Sequence, residues 1–298
     1  MPTGSSYHQQ GAASNGGWGF YQPSKNLFEA FQVDANGLPV LDVASRDALE
    51  TDMGLGSGDT FVPTSHLLDP RVDWTIARRG VDFLGWGIHP GNDWIREQPN
   101  GGPMMTKKYM HQFSEKSLNT NGSGFRNGKN YRQYRYAHIL LWRAEIAVED
   151  NDLPLALSLV NQVRNRAKAS PVVMGLCTSY VSLASSPTVD WSQPAANYLI
   201  NPYPAGGVYP FDTQANARMA VREELRLEFA TEGFRFFDLR RWGIADAVLN
   251  AYIAQDVTFR IFLTGAHYNP TEDDYWPLPQ DQLDLQKGVL TQDPAYGK

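Results

Sequence analysis

REELRLEFATEGFRFFDLRRW, Arg222–Trp242, is the most patterned stretch of the chain, and its reading decides the architecture. Just upstream, Thr213 opens a helix that runs through Ala217, Val221, Leu225 and Phe229 at fourfold spacing and ends near Gly233. Arg and Glu recur along it at three- and four-residue intervals. That spacing predicts ion pairs on one helix flank, such as Arg222 with Glu223, or Glu228 with Glu232 and Arg235. Phe234, Phe237 and Trp242 then carry the apolar face into a further turn.

Working outward, the clearest helical pair lies at 130–168. Tyr134, Ala137, Leu141, Ala144 and Val148 recur at helical spacing, a turn follows at Glu149–Asp152, and Pro154 occupies the first turn of the next helix, where its missing N–H is no loss. Ala156, Leu159, Val160, Val163 and Ala167 make the second stripe. Ala144 and Ala156 are spaced as in a tetratricopeptide unit, where two helices approach closely and one unit cannot bury its face alone. Ser24 caps a short helix through Leu27, Ala30 and Phe31, and Asp34-Ala35-Asn36-Gly37 reads as a turn. Residues 51–130 and 171–212 read as loop insertions rich in Gly, Pro, Asn, Ser and aromatics. The expected fold is mostly α, a single helical domain over 1–298 with a Pro-punctuated tail, Tyr275–Tyr296, wrapped on the helices.

Composition narrows the function. The 298 residues are 42% hydrophobic, enough for a sizeable core. A formal net charge of -6 argues against a nucleic-acid partner, which calls for a clustered basic surface. Cys177 is the sole cysteine, so neither a disulfide nor a thiolate zinc site can form within the chain, and a buried, inert thiol is expected. The histidines His66, His89, His111, His138 and His267 lack metal-ligand spacing, and His138, inside a helix, reads as a packing residue. No nucleophile elbow, phosphate loop or paired-cysteine motif is present, so no cofactor is implied.

The Arg222–Trp242 string closely resembles the carboxy-terminal helix signature of the SusD/RagB family, with Leu225 and Thr231 standing where that pattern expects Arg and Phe. Gly17–Phe31 resembles the family's turn-and-helix entry, Asp69-Pro70-Arg71 its acidic turn, Tyr134–Arg166 its helical pair, and Trp276–Pro294 its terminal segment. The resemblance implies a SusD-like helical fold of which this chain is a carboxy-terminal portion, the amino-terminal part missing. It further implies a lipid-anchored protein at the surface of a Bacteroidetes-type outer membrane. Such a protein binds an oligosaccharide or other nutrient without covalent chemistry and hands it to a SusC-like TonB-dependent transporter.

Aromatic content singles out the candidate contacts: 8 Trp, 14 Tyr and 14 Phe, many in loops. Sugars bury C–H faces on aromatic planes while amides and carboxylates take their hydroxyls. Trp86 and Trp94 flanking Asn92 and Asp93 supply both kinds of contact, and Trp18 with Tyr21 offers a second platform. The other reading of Trp86 and Trp94 is that they pin a long loop to its core. Trp74, Trp242 and Trp276 are expected to pack. Glu228, Glu232 and Asp238 are close carboxylates, but the interleaved Arg222, Arg226, Arg235, Arg240 and Arg241 should keep them ionised, which favours an ion-pair network over chemistry. A glycoside hydrolase using loop carboxylates and a helical-repeat adaptor for peptides or proteins stand as alternatives.

Overall fold

The computed structural model describes residues 22–108, 110, 112–115, 130, 132–179 and 187–296. Contacts divide the chain into two compact units, 1–233 and 234–298. Among the described residues the secondary structure is mainly helical, with two small antiparallel sheets of two strands each.

In the first unit, α1 (Lys25–Ala30) starts at Ser24, whose hydroxyl accepts from the Leu27 N–H at 3.1 Å. The predicted turn after it is an Asx turn: Asp34 Oδ1 accepts from the N–H groups of Asn36 and Leu38, both at 2.9 Å. Gly37 sits there at φ +74°, with an added Cβ 2.9 Å from the Leu199 side chain, so a larger residue is excluded on both counts. Phe28, Phe31, Leu68, Val72, Ile76 and Leu227 form the core beneath this segment. Two short helices, α2 (Val72–Thr75) and α3 (Gln98–Gly101), and the strands β1 (Ile76–Ala77) and β2 (Met105–Thr106) punctuate the long aromatic insertion.

The helical pair is α4 (Tyr136–Glu149) and α5 (Leu153–Ala169). His138 lies in the first turn of α4, where its Nδ1 accepts from the Arg135 N–H at 3.0 Å and its ring stacks on Phe229 at 3.7 Å between centroids. It is 1% exposed and does the packing work expected of it. Asn151 takes the left-handed conformation between the helices, φ 58°, and Asp152 caps α5 by accepting from Leu155 N–H at 3.1 Å. Ala144 and Ala156 are fully buried, as are Leu141 and Val160. Tyr134, by contrast, precedes the helix and is exposed.

The insertion at 171–212 is not simply loop. Strands β3 (Met174–Ser179) and β4 (Thr188–Pro194) pair antiparallel with irregular register. Short strands bordered by Ser and Pro give too few alternations to register as strand from sequence. Next, α6 (Gln214–Glu228) begins at Thr213, whose hydroxyl accepts from Asn216 N–H at 3.2 Å. It ends five residues before Gly233, because Thr231 turns the chain at φ 63° and Gly233 at φ 88°.

The second unit carries α7 (Arg235–Arg241), α8 (Ala245–Asp256), α9 (Pro270–Asp273) and α10 (Gln280–Leu285). Leu239, Ala245 and Tyr268 form its small core, with Phe236, Trp242 and Val248 packed alongside. Phe237 and Trp276, expected to pack, are exposed at 62% and 94%. Trp276 lies on a segment held in place by Gln292, whose amide bonds both Leu278 N–H and Leu278 C=O at 3.0 and 2.9 Å. At 94% exposed, the indole takes no part in the unit's core.

Candidate functional site

Every acidic residue on the inner side of α6 is met by a cation from elsewhere in the chain. Asp69, fully buried, accepts from Arg71 Nε and Nη2 at 3.0 and 2.7 Å and so fixes the guanidinium. Arg71 Nη1 then reaches Glu224 at 2.6 Å and Glu228 at 3.1 Å. Arg164 joins Glu224 at 3.0 Å, Arg135 and Arg166 each meet Glu228 at 2.7 Å, and Arg46 meets Glu223 at 2.7 Å. Lys108 and Arg135 share Glu232 at 2.8 and 2.7 Å. The expected ion-pair network exists, and Arg71, Arg135, Arg164, Arg166 and Lys108, which reach Glu224, Glu228 and Glu232, lie outside the helix. Within the string itself, Arg226 meets Glu223 at 3.8 Å and Arg241 meets Asp238 at 2.9 Å, both three residues apart. Helical spacing puts like-facing charges within reach of one another, whereas the buried face of α6 is supplied across the core.

This arrangement decides what the carboxylates can do. Burial pushes the Glu228 carboxyl up, but Arg71, Arg166 and Arg135 outweigh it and hold the group down at about 2. A carboxyl that low cannot act as the general acid of glycoside hydrolysis near neutral pH. In the second unit, Asp238 pairs with Arg241 at 2.9 Å, and Asp274 with Arg240 at 3.1 Å and with the Tyr268 hydroxyl. Among the described residues no group of His, Cys, Asp and Glu could hold a metal ion, and no helix is long and apolar enough to cross a membrane.

Of the two readings of Trp86 and Trp94, their burial follows the one in which they pin the loop. Trp86 and Trp94 are each 6% exposed and share a core cluster with Ala77, Phe83, Ile95 and Met105. Phe83 meets Trp94 edge-on at 5.8 Å, and His89 meets Trp94 at 5.4 Å. His89 is fully buried, its Nδ1 accepts from Gly91 N–H at 3.0 Å, and burial lowers its pKa to about 3, so it stays neutral. The indole faces are therefore covered, and the two tryptophans hold the loop to its core. Lys107 pins the same loop from below: its buried ammonium donates to the carbonyls of Asp73 and Asp82, both at 2.7 Å, and desolvation lowers it to about 8.

What the loop shows to solvent is different. Asp93 is exposed and Asn92 half-buried, at a turn tied down by the Asp93 N–H to Ser57 Oγ bond of 2.8 Å. Phe113, which the sequence reading passed over, is 51% exposed and meets Trp86 edge-on at 5.0 Å. Its N–H donates to the carbonyl of Leu84 at 2.9 Å, and Leu84 is itself held at φ 55°, an unfavourable conformation for a γ-branched apolar residue. Leu84-Gly85-Trp86-Gly87 thus forms a constrained turn that carries Phe113 on top. Trp18 and Tyr21 lie outside the described residues. A signal for Phe113 was present in the sequence only as one more loop aromatic.

A second feature is a recess of about 210 Å³ between the 61–65 segment, residues 78–81, β3 and residues 195–197. Cys177 lies in its wall, 2% exposed, with burial raising its thiol pKa.

The helical hairpin, the buried ion-pair hub and the aromatic insertion define a mainly helical chain with long insertions between its helices. Residues 1–296 match the SusD/RagB model, described as the SusD family, and the chain belongs to that family. A crystal structure of a SusD-like protein from Bacteroides fragilis NCTC 9343 is similar with a TM-score of 0.54 at 18% identity, over 98% of this chain and 50% of that one. A SusD superfamily protein from Bacteroides vulgatus ATCC 8482 gives 0.48 at 22% identity, over 77% and 40%. A SusD homolog from Bacteroides thetaiotaomicron VPI-5482 gives 0.48 at 21%, over 76% and 41%. The chain spans half or less of the length of these solved structures. No curated protein matches it.

Proposed function

We propose that the protein is a non-catalytic glycan-binding protein of the bacterial cell surface that captures an oligosaccharide and delivers it to a SusC-like TonB-dependent outer-membrane transporter. Membership of the SusD family supports the class. The observation that carries the reading to a site is Phe113, half-exposed on a rigid base of Trp86, Phe83 and Trp94 beside a constrained turn. Capture needs a flat apolar face that does not move on binding, since an immobile platform loses little entropy when the ligand docks. In this reading Phe113 stacks on a sugar ring, Asn92 and Asp93 take hydroxyls, and Trp86 and Trp94 act from behind as supports. Trp18 and Tyr21 are a further proposed platform.

A glycan array tests this with the wild-type chain, Phe113→Ala, and an Asn92→Ala, Asp93→Ala double variant. Loss of the array signal in Phe113→Ala, at unchanged thermal stability, is the expected result. A folded wild-type sample silent across neutral and acidic glycans defeats the reading, and a signal untouched by both variants removes this loop as the site.

A further inference from the structure

We infer that the recess walled by Phe61, Gly80, Arg78 and Asn197 is a second binding site, built for a carboxylate-bearing pyranose such as a uronic acid. The inference rests on the glycan reading for its choice of a sugar as carrier of the carboxylate. Four observations carry it. First, the volume of about 210 Å³ corresponds to roughly seven waters at about 30 Å³ each, the scale of one sugar ring and not of a chain.

Second, two arginines stand in the walls, each with its charge partner set behind the recess, Arg78 with Asp73 at 2.7 Å and Arg79 with Asp52 at 3.7 Å. Arg78 and Arg79 line it, and no Asp or Glu does. Third, Arg78 is only partly used. Its Nε and Nη2 donate to Asp73 at 2.8 and 2.7 Å, a fork that fixes the plane of the guanidinium. Its guanidinium also lies over the Phe28 ring at 5.4 Å, and Nη1 takes no hydrogen bond from the fork with Asp73; in this inference Nη1 is the donor offered to an incoming oxygen. Asn197 adds a carbonyl Oδ1 on the rim while its amide Nδ2 donates to the Ser65 carbonyl at 2.8 Å. Ser65, exposed at the rim, adds its hydroxyl.

Fourth, the aromatic wall is fixed. A Cβ on Gly80 would stand 2.3 Å from Phe61 Cζ, so the ring rests directly on the glycine backbone, and the Arg79 guanidinium lies 5.5 Å from its centroid. Arg79 itself is held by the carbonyls of Ser57 and Asp59, both at 2.7 Å. A fixed aromatic wall, a pre-oriented guanidinium and a rim of neutral acceptors suit a ring with one apolar face and one anionic edge. A neutral sugar uses the wall but not the charge; a bare carboxylate uses the charge but not the wall.

Isothermal titration calorimetry of the whole chain with methyl glucuronoside, methyl glucoside and sodium acetate tests the inference. The glucuronoside should bind about tenfold more tightly than either control, the worth of one charge-assisted hydrogen bond. Because removing Arg78 strands the buried Asp73, the variants are placed on the rim. Ser65→Asp should weaken the glucuronoside about tenfold by like-charge repulsion and leave the glucoside unchanged, and Ala196→Leu should abolish both by filling the space. Equal affinity for glucoside and glucuronoside overturns the carboxylate, equal affinity for acetate overturns the sugar, and indifference to both variants overturns the location. Glucuronoside binding alongside a Phe113-independent array would defeat the loop site and sustain this one; a Phe113-dependent array with no glucuronoside binding would do the reverse.

Discussion

Replacing Glu228 with Gln removes the charge on which three guanidinium groups converge. Arg71, Arg135 and Arg166 stand 3.1, 2.7 and 2.7 Å from its carboxylate, which is 2% exposed. Its folded pKa of about 2 lies below the ordinary 4.5, so the group binds its proton more weakly folded than unfolded. The linked stability is therefore present above pH 4.5 and is lost as pH falls toward 2. A depression of about 2.5 units at about 1.4 kcal/mol per unit amounts to roughly 3 kcal/mol at pH 7, falling to about half of that by pH 3. That agrees in size with breaking a buried ion pair. Urea unfolding of wild type and Glu228→Gln at pH 7, 4.5 and 3 measures it. The stability gap should be about 3 kcal/mol at the first two values and shrink by half at the third. A gap that stays constant with pH would mean that packing of the side chain, and not its charge, holds α6 in place, and the electrostatic account would be wrong.

Trp86→Ala should cost about 3–5 kcal/mol in chemical denaturation, the range for removing a large buried aromatic, while Phe113→Ala, on the surface, should cost well under 1 kcal/mol. Thr231→Gly should raise stability by about 1 kcal/mol, because it relieves a β-branched residue at φ 63° and removes a buried hydroxyl with no partner among the described residues; an unchanged or lower melting temperature would contradict this. Gly80→Ala should destabilise by more than about 1 kcal/mol and disorder Phe61, visible as loss of its ring shifts by NMR, since the new methyl meets both a φ of +81° and the ring itself.

Much of the helical scaffold was legible because its signals are local. Ser24, Asp152 and Thr213 cap their helices through bonds to N–H groups three residues on, and Pro154 and Asn151 mark the hairpin within a span of four residues. The alanine spacing of α4 and α5 reports close helix approach for the same reason. The Arg/Glu string also announced a buried ion network correctly in kind. Its partners were misread, because helical spacing predicts neighbours on one helix while Glu228 is neutralised by Arg71, Arg135 and Arg166, 157, 93 and 62 residues away. The β3–β4 hairpin was missed, since pairing across a connecting segment is invisible in strands this short.

The candidate site divides along the same line. Its loop, its aromatic richness and its Asn92-Asp93 pair are properties of composition and stood in the sequence. Which aromatic faces solvent did not: Trp86, Trp94, Phe113 and Trp276 are chemically alike, yet two are buried, one is half-exposed and one is 94% exposed. Arg78 likewise acquires its orientation only because Asp73 occupies two of its nitrogens, and a recess only because four separate segments stop short of one another there. Sequence alone marked α1, α4, α5 and α6 with the turns beside them, and through its motifs the family, because each depends on residues a few positions apart. Tertiary structure alone decided burial, ion-pair partners and cavities, because each is a sum over groups that meet only when distant parts of the chain close on one another.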